Sequence, residues 1–152
     1  MTATVDAIDD CHTTRFVTTH SVHFEDCDPS GIIFFPNYFI MINRTVEDWL
    51  AHIGKPLTSL ILERRMGIPT VQIDTTFVAP SFFGDKLEFR MSPVKLGTSS
   101  LSLQHIVHGH DGSVRMRTNQ LLVATSLQTH RSIPWPEDIR AAISCFKEKT
   151  CE

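Results

Sequence analysis

Residues 24–49 read FEDCDPSGIIFFPNYFIMINRTVEDW, and this stretch decides the fold. Glu25, Asp26 and Asp28 place three carboxylates within four residues. The segment that follows carries no charge until Arg44, and its apolar residues recur at the three- and four-residue intervals of a helix. We therefore predict an acidic turn followed by a long helix.

The predicted helix begins at Pro36, because proline fits the first helical turn, where a missing N–H costs nothing. Gly54 and Pro56 are expected to end it. Its apolar face is wide, so we expect the helix to be buried rather than half-exposed. The residues that recur at helical spacing are Tyr38, Ile42, Val46, Trp49 and Ile53.

The acidic turn has the composition of a type I β-turn, with Asp28 first, Pro29 second and Gly31 fourth. The side chain of Asp28 then has two interpretations. It caps its own turn, as Asp commonly does, or it acts beside the free N–H groups of the helix start. In the second position a carboxylate can activate water or attack a carbonyl carbon, while those N–H groups hold the developing oxyanion.

The segment DCDPSGIIFFPNY, from Asp26 to Tyr38, resembles the signature of hotdog-fold acyl-CoA thioesterases, and most of all the 4-hydroxybenzoyl-CoA thioesterase branch. Looser similarity extends over about 15–127. The resemblance implies that Asp28 is the catalytic carboxylate and that the backbone N–H of Phe35 polarises the thioester carbonyl. The candidates that it suggests for the acyl pocket are Phe34, Asn37, Tyr38 and Trp49.

The same resemblance suggests a site for the CoA phosphates in the turn 95–100, before the fourth strand, with Lys95, Ser99 and Ser100 as binding residues. Members of the family often carry arginine in this turn, whereas this chain offers one lysine and several hydroxyls. The phosphates therefore have alternative cationic partners elsewhere in the chain, namely Arg115, Arg117 and Arg131.

The rest of the chain is predicted to form strands, over 16–24, 70–78, 87–94, 101–108 and 115–126, with short helices at 58–66 and 138–148. One long helix followed by four strands is typical of an α+β domain, with an antiparallel sheet of about five strands wrapped around a central helix. The pattern alone fits several α+β folds, and the resemblance selects the hotdog fold. We predict a flexible lead over 1–14 and one hotdog domain over 15–152.

The charge and composition of the chain argue against several classes of binding partner. The net charge of −3 in 152 residues argues against bulk binding to nucleic acid or to anionic membranes. No apolar stretch is long enough to span a bilayer, and the N-terminal segment lacks the pattern of a signal peptide. The four cysteines lack CxxC spacing, so we predict free thiols in a cytoplasmic protein. They are Cys11, Cys27, Cys145 and Cys151.

The sequence favours neither a nucleophilic cysteine nor a metal site. A nucleophilic Cys27 would need a histidine and an orienting partner, and no local signature marks them. His105, His108 and His110 suggest a metal site, but strand alternation and a Gly-containing turn separate them, so we predict solvated histidines. We predict neither a metal nor a cofactor.

The sequence therefore predicts an acyl-CoA thioesterase that hydrolyses 4-hydroxybenzoyl-CoA or another aroyl-CoA to the free acid and CoA. A short- or medium-chain acyl-CoA hydrolase and a non-catalytic acyl-CoA-binding hotdog module remain alternatives. A hotdog hydratase would need a histidine at the helix start, and none lies between His23 and His52. One helix covers one face of the sheet, so we expect at least a homodimer, and the family often forms homotetramers.

Overall fold

A computed structural model describes residues 14–148, so nearly all of the predicted lead 1–14 lies outside the described residues. Strand and helix bounds within that range follow the alternation and helical spacing of the sequence. The elements are β1 Phe16–Ser21, α1 Pro36–His52, α2 Leu57–Leu62, β2 Met66–Gly67, β3 Thr70–Phe77, β4 Lys86–Leu96, β5 Ser100–His108, β6 Val114–Val123, β7 Thr125–Ser126 and α3 Glu137–Glu148.

Five strands form one antiparallel sheet in the order β1-β4-β5-β6-β3. The predicted sheet of about five strands, with one long helix against it, is therefore confirmed. The prediction was wrong at the end of three elements. The first strand ends at Ser21 rather than at residue 24, and α2 ends at Leu62 rather than at residue 66, because Met66 pairs in β2. The last strand, predicted to reach residue 126, ends at Val123. The Ala124 N–H donates to the Ser99 carbonyl, in register with the β5–β6 pairing, but β7 pairs with β2 in a separate two-stranded sheet.

Helix α1 begins at Pro36 and ends at His52, as predicted, and Gly54 follows it with a positive φ of 78°. The expectation of a fully buried helix was wrong, because Arg44 and Glu47 on its other side are exposed. One sheet covers only one side of a helix, so the opposite side faces outward in the single chain. The buried residues of α1 are Tyr38, Met41, Ile42, Thr45, Val46, Trp49 and Leu50.

The core consists of two apolar clusters along α1. The cluster at the N-terminal half of the helix includes Tyr38, Ile42 and residues of β4, β5 and β6. The cluster at the C-terminal half includes Trp49 and is completed by α3, whose Phe146 ring lies 5.7 Å from the Trp49 ring. The buried polar residues of the described chain belong to neither cluster, and they are Thr45, Ser81, Ser92, His105, Thr118 and Gln120.

His105 is the principal correction among the histidines, because it is 0% exposed rather than solvated. It lies on the inner face of β5, together with the buried residues Leu103 and Val107. Its Nε2 atom lies 2.9 Å from the Gln120 side-chain oxygen, and the Gln120 amide nitrogen donates to the Thr70 hydroxyl at 2.8 Å. Burial lowers the pKa of His105 to about 4, so the ring is neutral at physiological pH.

We predict that the free energy of unfolding falls between pH 6.5 and 4 because of His105. The unfolded chain binds a proton at this residue near pH 6.5, whereas the folded chain, with a pKa of about 4, does not. The contribution of His105 to the free energy of unfolding is therefore fully present above pH 6.5. This free energy falls by about 3 kcal/mol as the pH falls towards 4. Urea denaturation at several pH values measures the loss.

His105→Gln removes the titrating group and keeps an amide donor for Gln120, so its stability should depend less on pH over this window. The matched control is His110→Gln, since His110 is exposed in the β5–β6 turn. Equal pH dependence in wild type and His105→Gln would contradict a neutral, buried His105.

Candidate active site

The acidic segment before α1 folds back on the chain as a short antiparallel ribbon. Hydrogen bonds join the two sides, with Asp28 N–H donating to the Ile32 carbonyl at 3.0 Å and Phe34 N–H donating to the Asp26 carbonyl at 2.9 Å. The ribbon leads directly into the first turn of α1, so it holds the acidic turn beside the helix start. Its three facing pairs are Asp28–Ile32, Cys27–Ile33 and Asp26–Phe34.

The turn at the tip of the ribbon is the one predicted. Gly31 donates its N–H to the Asp28 carbonyl at 3.0 Å and has a positive φ of 81°. A Cβ atom at Gly31 would meet no atom within 4 Å. The preference for glycine therefore comes from the left-handed backbone conformation and not from lack of space.

The carboxylate of Asp28 is engaged through one oxygen. Oδ1 accepts hydrogen bonds from the Ser30 N–H, at 2.8 Å, and from the Ser30 hydroxyl. Oδ2 has no hydrogen-bond partner among residues 14–148. The two interpretations of Asp28 are therefore compatible, because the side chain caps its turn and still presents a free oxygen.

The start of α1 presents one free backbone donor. The Phe34 N–H is bound to the Asp26 carbonyl, Pro36 has no N–H, and Asn37 N–H donates to the Phe34 carbonyl at 2.9 Å. The Phe35 N–H has no acceptor within the described part of the chain. It lies at the N-terminus of a 17-residue helix, where the helix dipole favours negative charge.

An open groove of about 320 Å³ lies beside Phe35. The ring of Phe77 is central to it, with ring centroids 6.1 Å from Phe35 and 5.8 Å from Tyr38. A largely apolar groove next to a free N–H can hold an acyl group with its carbonyl at the donor. The residues that line the groove are Ile32, Ile33, Phe35, Tyr38, Phe77, Val78, Ala79, Pro80 and Ser81.

Ser81 is a site residue that the sequence analysis missed. Its hydroxyl oxygen accepts a hydrogen bond from the Tyr38 hydroxyl at 2.7 Å, and its carbonyl accepts from the Ile33 N–H at 2.9 Å. Burial raises the pKa of Tyr38, so its hydroxyl stays protonated at neutral pH. In the sequence, PSFFG at 80–84 gives no signal other than that of a loop.

The other acyl-pocket candidates lie outside the groove lining. Phe34 is half exposed and its ring packs 5.6 Å from the Phe35 ring. Asn37 donates its side-chain amide to the Asp26 carbonyl at 2.8 Å. Trp49 was a wrong candidate, because it is fully buried in the cluster at the far end of α1.

Cys27 is a free thiol on the ribbon. Burial raises its pKa, and the neighbouring charges of Asp26 and Asp28 raise it further. A raised pKa keeps the thiol protonated, which is the opposite of what a nucleophilic cysteine requires. Among residues 14–148, no three His, Cys, Asp or Glu side chains are placed to hold a metal ion.

The predicted CoA-binding residues lie far from this site in the same chain. The Lys86 end of β4 adjoins the loop that carries Ser81, whereas Lys95 is near the opposite end of that strand. Nine residues of strand separate the two ends by about 30 Å. Ser99 and Ser100 lie with Lys95 at the distant β4–β5 turn.

Arg115 is not available as an alternative phosphate ligand. Its guanidinium lies 3.1 Å from an Asp85 carboxylate oxygen and 3.5 Å from one of Asp111, and it donates to the Pro80 carbonyl at 2.7 Å. This side chain therefore secures the loop at the groove wall. Arg117 and Arg131 are exposed.

The thioesterase-like superfamily matches residues 22–143, which include the ribbon, the groove and every strand of the sheet except β1. The chain belongs to this family. It is a thioester hydrolase with the hotdog fold, as the motif around Asp28 had predicted. Over residues 14–148, the helices are too short or too polar to cross a membrane.

Several proteins similar to this chain are CoA thioester hydrolases. A 1,4-dihydroxy-2-naphthoyl-CoA hydrolase of Thermosynechococcus vestitus is 24% identical over 87% of this chain and 90% of its own length. A 4-hydroxybenzoyl-CoA thioesterase of Pseudomonas sp. strain CBS-3 is 28% identical over 67% of this chain and 77% of its own. The solved structure of BH1999 gentisyl-coenzyme A thioesterase superposes with a TM-score of 0.76 and 29% identity, covering 84% of this chain and 99% of that one.

Proposed function

We propose that the protein hydrolyses the CoA thioester of an aromatic acid, such as 4-hydroxybenzoyl-CoA, to the free acid and CoA. The observation that carries this proposal is the free Phe35 N–H at the start of α1. It adjoins an aromatic-lined groove and follows a ribbon whose Asp28 presents one unengaged oxygen. Family membership supplies the reaction class, and the groove supports the class of acyl group.

The reaction needs one carboxylate and one hydrogen-bond donor. The thioester oxygen accepts a hydrogen bond from the Phe35 N–H, which stabilises the negative charge that develops on it. Asp28 Oδ2 either removes a proton from the water that attacks the carbonyl carbon or attacks that carbon itself. In the second route, water then hydrolyses the anhydride, and both routes release the acid and the CoA thiol.

The groove favours an aromatic acyl group because the rings of Phe35, Tyr38 and Phe77 are part of its lining. Three relatives are named for hydroxylated aromatic substrates. A short or medium alkyl chain also fits an apolar groove. Release of free thiol from a panel of aroyl- and alkyl-CoA thioesters tests the choice, and a kcat/KM that is higher for alkyl substrates would contradict the aroyl assignment.

The same assay distinguishes two other functions, a binding module and a hydratase. A non-catalytic acyl-CoA-binding module would bind these thioesters without releasing thiol. A hydratase would add water to an enoyl-CoA, and it would need a histidine beside the carboxylate at the helix start. His20 of β1 is bound elsewhere. Its Nε2 atom lies 3.2 Å from the Thr18 hydroxyl on the same strand and 3.3 Å from the hydroxyl of Thr45, in the middle of α1.

The sheet edge at β3 supports a site built from two subunits. β3 pairs with β6 on one side, and seven of its eight residues are exposed in the described chain. An exposed edge with apolar side chains is a ready surface for pairing with a second strand. The exposed apolar residues of this edge and of the chain just after it are Val71, Ile73, Phe77 and Val78.

Antiparallel pairing of two β3 strands would also place the distant β4–β5 turn near a second active site. Such pairing sets Phe77 of one subunit beside Thr70 of the other. The Thr70 end of β3 pairs with Leu122 of β6, which in turn faces Leu101 just after the turn. We therefore propose that Lys95, Ser99 and Ser100 contact the CoA bound at the partner's site. The cytoplasmic location stays a prediction.

We predict that Asp28→Asn lowers kcat at least about a hundredfold, because the amide can neither attack nor accept a proton. The protein should stay folded, since the amide oxygen still accepts from Ser30. Asp48→Asn is the matched control, because Asp48 is exposed on α1. A variant that retains more than about a tenth of wild-type turnover loses less than 1.4 kcal/mol of barrier, which is too little for the principal catalytic group.

A second prediction tests the backbone donor. Phe35→Pro removes the N–H and should lower kcat by about a hundredfold or more. Phe35→Leu keeps the N–H and should cost little beyond the lost packing against Phe77. Turnover of both variants is compared after circular dichroism confirms the fold. Near-normal turnover in a folded Phe35→Pro protein would show that the carbonyl is held elsewhere.

A third prediction concerns assembly. Light scattering at micromolar concentration should show a dimer or larger, and Ile73→Lys should shift the population towards monomer by placing a charge at the pairing edge. Val17→Lys is the control, because Val17 is 48% exposed on the opposite sheet edge and Ile73 is 42% exposed. A monodisperse wild-type monomer would overturn the two-subunit site.

A further inference from the structure

We infer that Asn37 is a positioning residue, whose side-chain amide fixes the Asp28 ribbon against the start of α1. The inference rests on the proposed function, since it assigns Asn37 a part in the same reaction. It also replaces the predicted role of Asn37 as a substrate contact. The juxtaposition that carries it is a set of three hydrogen bonds that link Asn37, Phe34 and the Asp26 carbonyl.

The peptide unit between Phe34 and Phe35 carries the free donor. Its carbonyl accepts from the Asn37 N–H at 2.9 Å. A trans peptide is planar, with its C=O and N–H pointing in opposite directions. The bond from Asn37 therefore directs the Phe35 N–H away from the helix.

The Asn37 side chain bonds to the opposite side of the ribbon. Its amide nitrogen donates to the Asp26 carbonyl at 2.8 Å, and that carbonyl also accepts from the Phe34 N–H at 2.9 Å. Asp26 is two residues before Asp28 on the ribbon. One residue thus holds both the peptide that carries the donor and the strand that carries the carboxylate.

The geometry separates this role from substrate contact. The Asn37 side chain is half-buried, and its amide nitrogen already donates to a backbone carbonyl. Asn37 is not part of the groove lining. Without the amide, the Asp26 carbonyl keeps the Phe34 N–H as its only donor in the described chain, and the ribbon is free to shift against the helix. A displacement of about 1 Å between reacting groups can cost a hundredfold in rate.

The test compares Asn37→Ala and Asn37→Asp with Asn43→Ala. Asn37→Asp keeps the size of the side chain and replaces the donor with an oxygen, and it serves if Asn37→Ala does not fold. Asn43 is exposed on the same helix and is the matched control. We expect kcat for a hydrolysed CoA thioester to fall about 10- to 100-fold in both Asn37 variants. KM should stay within about twofold, as expected for a residue that makes no substrate contact.

A merely structural role would lower the melting temperature without this split between kcat and KM. A kcat within threefold of wild type would overturn the inference, as would a tenfold rise in KM at unchanged kcat. Amide hydrogen exchange provides a readout that does not depend on turnover, because the Phe34 amide should exchange faster in Asn37→Ala while the Val46 amide is unchanged. Unchanged protection at Phe34 would overturn the inference, whereas a wild-type protein without thioesterase activity would instead refute the proposed function.

Discussion

The hydrogen bond from the Phe34 N–H to the Asp26 carbonyl determines how the site is built. The start of a helix leaves several backbone N–H groups without partners inside the helix. In this chain, most of these groups are either bound elsewhere or absent. Phe34 gives its N–H to the ribbon and Pro36 has none, so the donor of Phe35 is the one left over. The same bond fixes where the acidic turn ends and where α1 begins. The position of the carboxylate relative to the donor is therefore a property of the backbone.

The core is divided into two parts, one at each end of α1. One apolar cluster supports the helix start, and the other, closed by α3, supports its C-terminal end. Between them, the buried side chains of His105 and Gln120 are linked by a hydrogen bond, and Gln120 also donates to Thr70, while the Nδ1 atom of His105 has no partner in the described chain. The half of α1 that bears the site is thus held by strands of the central sheet, while the added C-terminal helix stabilises the opposite half.

Local features of the chain could be predicted from the sequence, and features set by distant contacts could not. Pro36, Gly54 and the turn at Asp28 act through their own backbone preferences, so the bounds of α1 and the turn were correct. The burial of His105 depends on what covers the inner face of β5, and the role of Ser81 depends on Tyr38, 43 residues earlier. The exposed side of α1 was missed for a similar reason, because spacing shows which residues are apolar but not how many layers surround them. The separation of Lys95 from Asp28 required the strand order.

The anchoring of Asp28 Oδ1 by Ser30 has a consequence for the energetics of the proposed reaction. A surface carboxylate usually rotates freely about its last side-chain bond, and that freedom must be given up each time it reacts. Here the turn has already removed it during folding, because two donors from one neighbouring residue hold the same oxygen. The other oxygen keeps a fixed direction before any substrate arrives. A lone acid can in this way work without the separate orienting side chain that a catalytic triad devotes to its histidine.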